Sequence, residues 1–116
     1  MPDYVIYHNP SCSKSRATLA LLRENNVEPE IIEYLDNPPS VEEIKRILAL
    51  LNYQPIELMR TKEAPFSDLN LSDQATTNEQ LVAAMVSHPI LMERPIVLRD
   101  NQAIIGRPPE RVLDLI

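Results

Sequence analysis

The distribution of apolar residues along the chain predicts alternating strands and helices. Tyr4–Tyr7 contains only β-branched and aromatic residues and predicts a short buried strand. A run with apolar residues at helical spacing follows and predicts a helix from Ser13 to about Glu24. Glu30–Tyr34 predicts a second strand. Because strand–helix–strand units close through a right-handed crossover, these two strands should be parallel.

The middle of the chain predicts further helices. Ser40 with Glu43, and Thr77 with Gln80, have the spacing of capping boxes, in which each side chain accepts a hydrogen bond at the start of a helix. Apolar residues at helical spacing follow both pairs. The segment Pro55–Ser72, between the two helices, predicts only short helical turns and loops.

The end of the chain predicts a hairpin and a last helix. Ile96–Arg99 and Gln102–Ile105 flank Asp100-Asn101, two residues that tolerate the positive φ of a tight turn. Pro108-Pro109 suits the first turn of a helix. The complete order of elements predicts one α/β domain, residues 1–116, with a four-stranded mixed sheet flanked by helices. This is the thioredoxin-like fold.

Net charge and hydropathy restrict the classes of partner that the protein is expected to bind. The formal net charge is −6, which disfavours broad attraction to nucleic acid or to an anionic membrane. The longest unbroken apolar stretch, Leu81–Val86, is far too short to cross a bilayer. The opening Met1-Pro2-Asp3 also lacks the basic and then apolar pattern of a signal peptide. These features predict a cytoplasmic protein with no nucleic-acid or membrane partner.

The single cysteine is the strongest chemical candidate. Cys12 lies between the first predicted strand and helix, where unpaired N–H groups and the helix dipole favour both a thiolate and an incoming anion. The residues around this position include three potential hydrogen-bond donors, Asn9, Ser13 and Ser15. They also include three potential positive charges, His8, Lys14 and Arg16. A cysteine of unknown role is more often a small buried hydrophobe, but the polar residues on both sides of Cys12 argue against a core position.

The cysteine count constrains the chemistry further. One cysteine excludes an intramolecular disulfide and a cluster of cysteine ligands for a metal, and we expect no metal and no bound cofactor. Any disulfide that Cys12 forms therefore has its second sulfur outside the chain.

The segment His8–Arg16 resembles the active-site segment of the glutaredoxin-coupled arsenate reductases, the ArsC family. Three further segments resemble that family in order and spacing, namely Leu58–Arg60, His88–Val97 and Gly106–Pro108. The resemblance covers the chain from Tyr4 to Leu115 and implies the thioredoxin-like fold.

The resemblance also implies roles for individual residues. It implies that Cys12 is the nucleophile and that Arg60, Arg94 and Arg107 bind the oxyanion. Guanidinium groups suit that role because they stay charged and present a planar fork to tetrahedral oxyanions. Without the resemblance, the three arginines would be interpreted as solvated surface charges. The supporting positions are His8, Asn9, Ser15 and Pro95, the last in an expected cis Arg94–Pro95 peptide.

The implied reaction is the reduction of arsenate to arsenite, with glutathione as co-substrate and glutaredoxin as partner.

Two alternatives belong to other classes of protein. A non-enzymatic regulator of the Spx type shares the fold, but its Cys-x-x-Cys switch would need a cysteine at position 15, where this chain has Ser15. A non-enzymatic interaction protein of the same fold without that switch stays open as an alternative. A glutaredoxin-like thiol–disulfide oxidoreductase is the other, although a disulfide substrate gives three arginines no tetrahedral anion to neutralise. A low-molecular-weight phosphatase site fails because its arginine would fall at Thr18.

Overall fold

The computed structural model describes residues 3–116, which form two compact units. The first comprises residues 3–37 and Arg94–Ile116, and the second is Pro38–Glu93. The prediction that 1–116 is a single domain stays a prediction. Among residues 3–116, no helix is both long and apolar enough to cross a membrane.

The first unit contains the whole sheet. Its strands are β1 (Tyr4–His8), β2 (Glu30–Glu33), β3 (Ile96–Arg99) and β4 (Gln102–Ile105), in the order β2-β1-β3-β4. β1 is parallel to β2 and antiparallel to β3, and β3 is antiparallel to β4. The prediction of a four-stranded mixed sheet is therefore confirmed, and so is the parallel pairing of the first two strands.

One helix and one 3-10 helix complete the first unit. Helix α1 is Ser13–Glu24, as predicted, and Asn26 after it has a positive φ of 64°. The last element, Pro109–Leu115, is a 3-10 helix, and it packs against α1 and β4. One hydrophobic cluster in the core of this unit consists of six buried side chains, Ile6, Leu19, Leu22, Val97, Val112 and Leu115.

The second unit is helical. Its helices are α2 (Val41–Leu51), α3 (Ala64–Asp68) and α4 (Asn78–Ser87), with 3-10 turns at Pro55–Leu58 and Pro89–Leu91. Ser40 caps α2 by accepting from the Glu43 N–H at 3.1 Å, and Thr77 and Gln80 form the complete capping box of α4. The helices predicted after these two signals are therefore confirmed, as are the short helical turns between them.

Gly106 marks a close approach between three segments of the first unit. A Cβ at this position would lie 2.9 Å from Cγ of Pro95 and closer still to Oγ1 of Thr18. Thr18 is fully buried on α1 and donates to the carbonyl of Lys14 at 2.8 Å. The only glycine of the chain therefore lets the segment after β4 lie against both α1 and Pro95.

We expect Gly106→Ala to lower the free energy of unfolding by about 1–3 kcal/mol, because overpacking forces neighbouring groups apart. Urea denaturation checks this value. In the Thr18→Ala background the same change should cost less, since one of the two clashing side chains is smaller. Equal costs in both backgrounds would contradict the packing that we describe.

Candidate active site

Cys12 is the N-cap residue of α1. Its backbone is extended, with φ −95° and ψ 124°, and its carbonyl accepts from the Arg16 N–H at 3.0 Å. Its own N–H donates to the carbonyl of Asn9 at 3.0 Å, which closes a tight loop between β1 and α1. The side chain is partly exposed, so the thiol is neither in the core nor fully solvated.

The surroundings of Cys12 favour a thiolate. Partial burial opposes ionisation, but the backbone N–H of Ser15, the side chain of Arg94 and the backbone N–H of Lys14 all stabilise the negative charge. These contacts outweigh the burial and lower the pKa of Cys12 below its ordinary value. The first turn of α1 therefore acts as an anion site for its own N-cap residue.

Ser15 joins the two sides of this loop. It is fully buried, and its Oγ accepts from the Asn9 N–H at 3.0 Å and lies 2.7 Å from Nδ1 of His8. The hydroxyl is therefore committed to β1 and the loop, and it is the backbone N–H of Ser15 that stabilises the thiolate. The side chain of Ser15 thus fixes the loop, and its main chain stabilises the negative charge of the thiolate.

His8 does not contribute the positive charge that the sequence suggested. Burial lowers the pKa of this histidine, and Arg23 and Arg16 lower it further against an opposing effect of Glu33. His8 is therefore mainly neutral at pH 7, and the expectation of a cationic imidazole is wrong. The sequence did not reveal this because burial of the last residue of a strand depends on tertiary packing.

Two of the three predicted arginines lie in the first unit. Arg94 stabilises the Cys12 thiolate directly and precedes Pro95 through a cis peptide bond, as expected. Arg107 donates from its guanidinium to the carbonyl of Arg94 at 3.3 Å, and it also precedes a cis proline, Pro108. The structure therefore brings Arg94 and Arg107 together from separate segments.

Arg60 belongs to the second unit, where it is held by carboxylates. Its Nη1 lies 2.8 Å from Oε1 of Glu93 and its Nε lies 3.4 Å from Oε1 of Glu63. The backbone fixes this arrangement, because Arg60 N–H donates to the Leu91 carbonyl and Glu93 N–H donates to the Leu58 carbonyl. The pairing with Glu93 could not be predicted from local sequence, since the two residues are 33 positions apart.

Over residues 3–116, no group of three or more histidine, cysteine or acidic side chains is placed to hold a metal ion. The site itself presents a thiol whose negative charge is stabilised by fixed cationic and N–H donors.

The fold and the site are those of a thioredoxin-like thiol protein. A model of the ArsC family matches residues 7–115, and the chain belongs to this family. The chain is 51% identical over 112 residues to the uncharacterized protein YfgD of Escherichia coli K12, and the match covers 96% of this chain and 94% of that protein. It is 42% identical to an arsenate reductase of Neisseria meningitidis (Z2491), over 97% of both chains. The solved structure of an arsenate reductase from Vibrio cholerae superposes with a TM-score of 0.95 at 49% identity, over 99% of this chain and 98% of that one.

We expect the rate of alkylation of Cys12 by iodoacetamide to rise with pH around a midpoint below about 8.5, the ordinary value for a cysteine. Removing the guanidinium in Arg94→Gln should move this midpoint up, because one stabilising contact to the thiolate is lost. Arg111→Gln, which removes an exposed arginine of the last helix, serves as the control and should leave the midpoint in place. A wild-type midpoint at or above 8.5 would contradict the described environment.

Proposed function

We propose that this protein is an arsenate reductase that acts in the cytoplasm, with glutathione as co-substrate and glutaredoxin as partner. The observation that supports this proposal most strongly is the thiol of Cys12, whose pKa is lowered at a helix start beside Arg94. Relatives that carry the name arsenate reductase match nearly the whole chain at 42–43% identity. We also propose that the enzyme requires no bound cofactor.

The first step is attack by the Cys12 thiolate on arsenic(V). A sulfur–arsenic bond forms and one arsenate oxygen leaves as hydroxide or water, while the arginines offset charge on the remaining oxygens. We assign this role to Arg94 and Arg107, and to Arg60 as a third contributor.

The second step needs an external thiol. The glutathione sulfur attacks Sγ of Cys12, a disulfide bond forms, and the sulfur–arsenic bond breaks with its electron pair remaining on arsenic. Arsenic is thereby reduced from the pentavalent to the trivalent state and two sulfurs are oxidised. A glutaredoxin thiol then attacks the mixed disulfide and restores the Cys12 thiolate.

His8, Asn9 and Ser15 support the nucleophile by position. Their hydrogen bonds fix the loop that presents Cys12 to the N–H groups of α1. Pro95, buried after Arg94, fixes the chain direction next to that guanidinium. None of these groups transfers a proton in the proposed steps.

A thiol–disulfide oxidoreductase is the enzymatic alternative. It would use the same Cys12, but it would not need Arg107 beside Arg94, because a disulfide carries no tetrahedral charge. The arginine variants below therefore separate the two functions. Loss of arsenate reduction with unchanged reduction of a small disulfide supports the proposal.

We expect Arg94→Lys and Arg107→Lys each to reduce the rate of arsenate reduction by roughly 30- to 1000-fold, equivalent to about 2–4 kcal/mol for one charge-assisted contact in the transition state. Lysine keeps the charge but lacks the planar fork. Steady-state kinetics with glutathione, glutaredoxin and an NADPH-coupled readout measures the effect.

The control for this series is Arg111→Lys, an exposed position that should change little. Arg99 is unsuitable as a control, because its guanidinium lies 5.2 Å from the centroid of the Tyr4 ring and donates to the Leu115 carbonyl. If Arg111→Lys is as damaging as the two site variants, the arginines act through general charge and the assignment is wrong.

We also expect one glutathione to be added to Cys12 when the protein turns over arsenate in the absence of glutaredoxin. The reason is that the chain has no second cysteine to resolve the intermediate. Intact-mass analysis detects this adduct, and Cys12→Ser should show none. Sustained turnover with a reductant that is not a thiol would rule out the proposed second step.

A further inference from the structure

A cleft of about 520 Å³ runs along one face of α1 in the first unit. It is lined by His8 and Pro10, which precede α1, and by Arg16 and Arg23 of α1 itself. A volume of this size is typical of sites for small organic molecules and is much larger than a tetrahedral oxyanion requires. The oxyanion site at Cys12 therefore does not account for the cleft.

The cleft adjoins the loop that carries the nucleophile. The backbone N–H of Arg16 donates to the carbonyl of Cys12 at 3.0 Å, and its Nη1 donates to the carbonyl of Pro10 at 2.9 Å. Pro10 is two residues from Cys12 and lines the cleft. A molecule lying in the cleft would therefore have one end next to the thiol loop.

The lining of the cleft suits a short zwitterionic peptide. Leu19 and Ala20 provide apolar surface between the two arginines, and Glu24 adds a negative charge beside Arg23. Arg23 pairs with Glu28 at 3.0 Å, but both side chains are at least half exposed, and such surface pairs are weak enough for a ligand carboxylate to compete. The buried, uncharged ring of His8 matches a peptide amide better than a carboxylate.

The dimensions also agree with a peptide. Arg16 and Arg23 are seven residues apart, which corresponds to about 10 Å along a helix axis. One extended residue spans about 3.5 Å, so a dipeptide-to-tripeptide length of chain covers this distance. In a γ-glutamyl peptide the α-carboxylate and the ammonium group share one end, and that end would meet Arg23 and Glu24.

We propose that this cleft binds the peptide arm of the thiol co-substrate, a tripeptide thiol of the glutathione class, while its sulfur reaches Cys12. The inference rests on the proposed function for its biological setting, but the binding step does not require arsenate. Because the chain has one cysteine, each mixed disulfide joins Cys12 to an external sulfur, and the cleft supplies the contacts that select which external thiol reacts.

The test compares two disulfides as reagents for Cys12. The thiolate attacks glutathione disulfide, forms the Cys12–glutathione disulfide and releases one glutathione thiolate, and hydroxyethyl disulfide reacts in the same way without a peptide arm or charges. Intact-mass kinetics gives both rates, and their ratio cancels any change in the reactivity of Cys12 itself.

Ala20→Phe fills the cleft from an exposed position on α1, and Arg16→Gln removes a charge from its wall. We expect each to lower the ratio of the glutathione-disulfide rate to the hydroxyethyl-disulfide rate by about tenfold. Ala20→Phe does so by obstructing the cleft, and Arg16→Gln does so by removing one charged contact. Ala17→Phe is the matched control, since Ala17 is exposed on the same helix and does not line the cleft. It should leave the ratio unchanged.

An unchanged ratio in both Ala20→Phe and Arg16→Gln would overturn the proposal, and so would an equal fall in Ala17→Phe. Thermal unfolding of each variant shows whether the fold is kept. In Cys12→Ser protein, ¹H–¹⁵N spectra titrated with S-methylglutathione should show shifts grouped at Arg16, Ala20 and Arg23, and shifts grouped elsewhere would also overturn it. If these tests succeed while arsenate is not reduced, the cleft assignment stands and the proposed function fails.

Discussion

The hydrogen bonds of Ser15 hold the active-site loop to the sheet. Its buried hydroxyl binds the Asn9 N–H and His8 Nδ1, and its backbone N–H stabilises the Cys12 thiolate. A buried N–H or imidazole without a partner is costly, so these bonds define one geometry for the turn from β1 into α1. The reactivity of the thiol follows from that geometry, because the helix N–H groups act only on an anion held in line with them.

Much of the fold could be predicted from local sequence signals. The bounds of α1, the caps Ser40 and Thr77 and the hairpin around Asp100 are set by residues within a few positions of one another. The environment of individual side chains could not be predicted in this way. His8 is neutral because it is buried, and Ile31 is 38% exposed because β2 lies at the edge of the sheet. Both properties depend on which elements pack together.

The candidate active site shows the same difference between local sequence signals and tertiary packing. The position of Cys12 before a helix was sufficient to predict a stabilised thiolate, since the N–H donors come from the next few residues. The pairing of Arg60 with Glu93 was not predictable, because an antiparallel bridge between Met59 and Met92 brings distant segments together.

The burial of position 15 has a further consequence for how such a protein depends on its surroundings. A second thiol three residues after Cys12 would occupy the core-facing side of the first helical turn, where Ser15 is completely inaccessible to solvent. This chain has serine there, and a hydroxyl cannot resolve a disulfide. Under the proposed function, each catalytic cycle therefore draws its electrons from dissolved thiols. Turnover consequently follows the reducing power of that thiol pool as well as the supply of substrate.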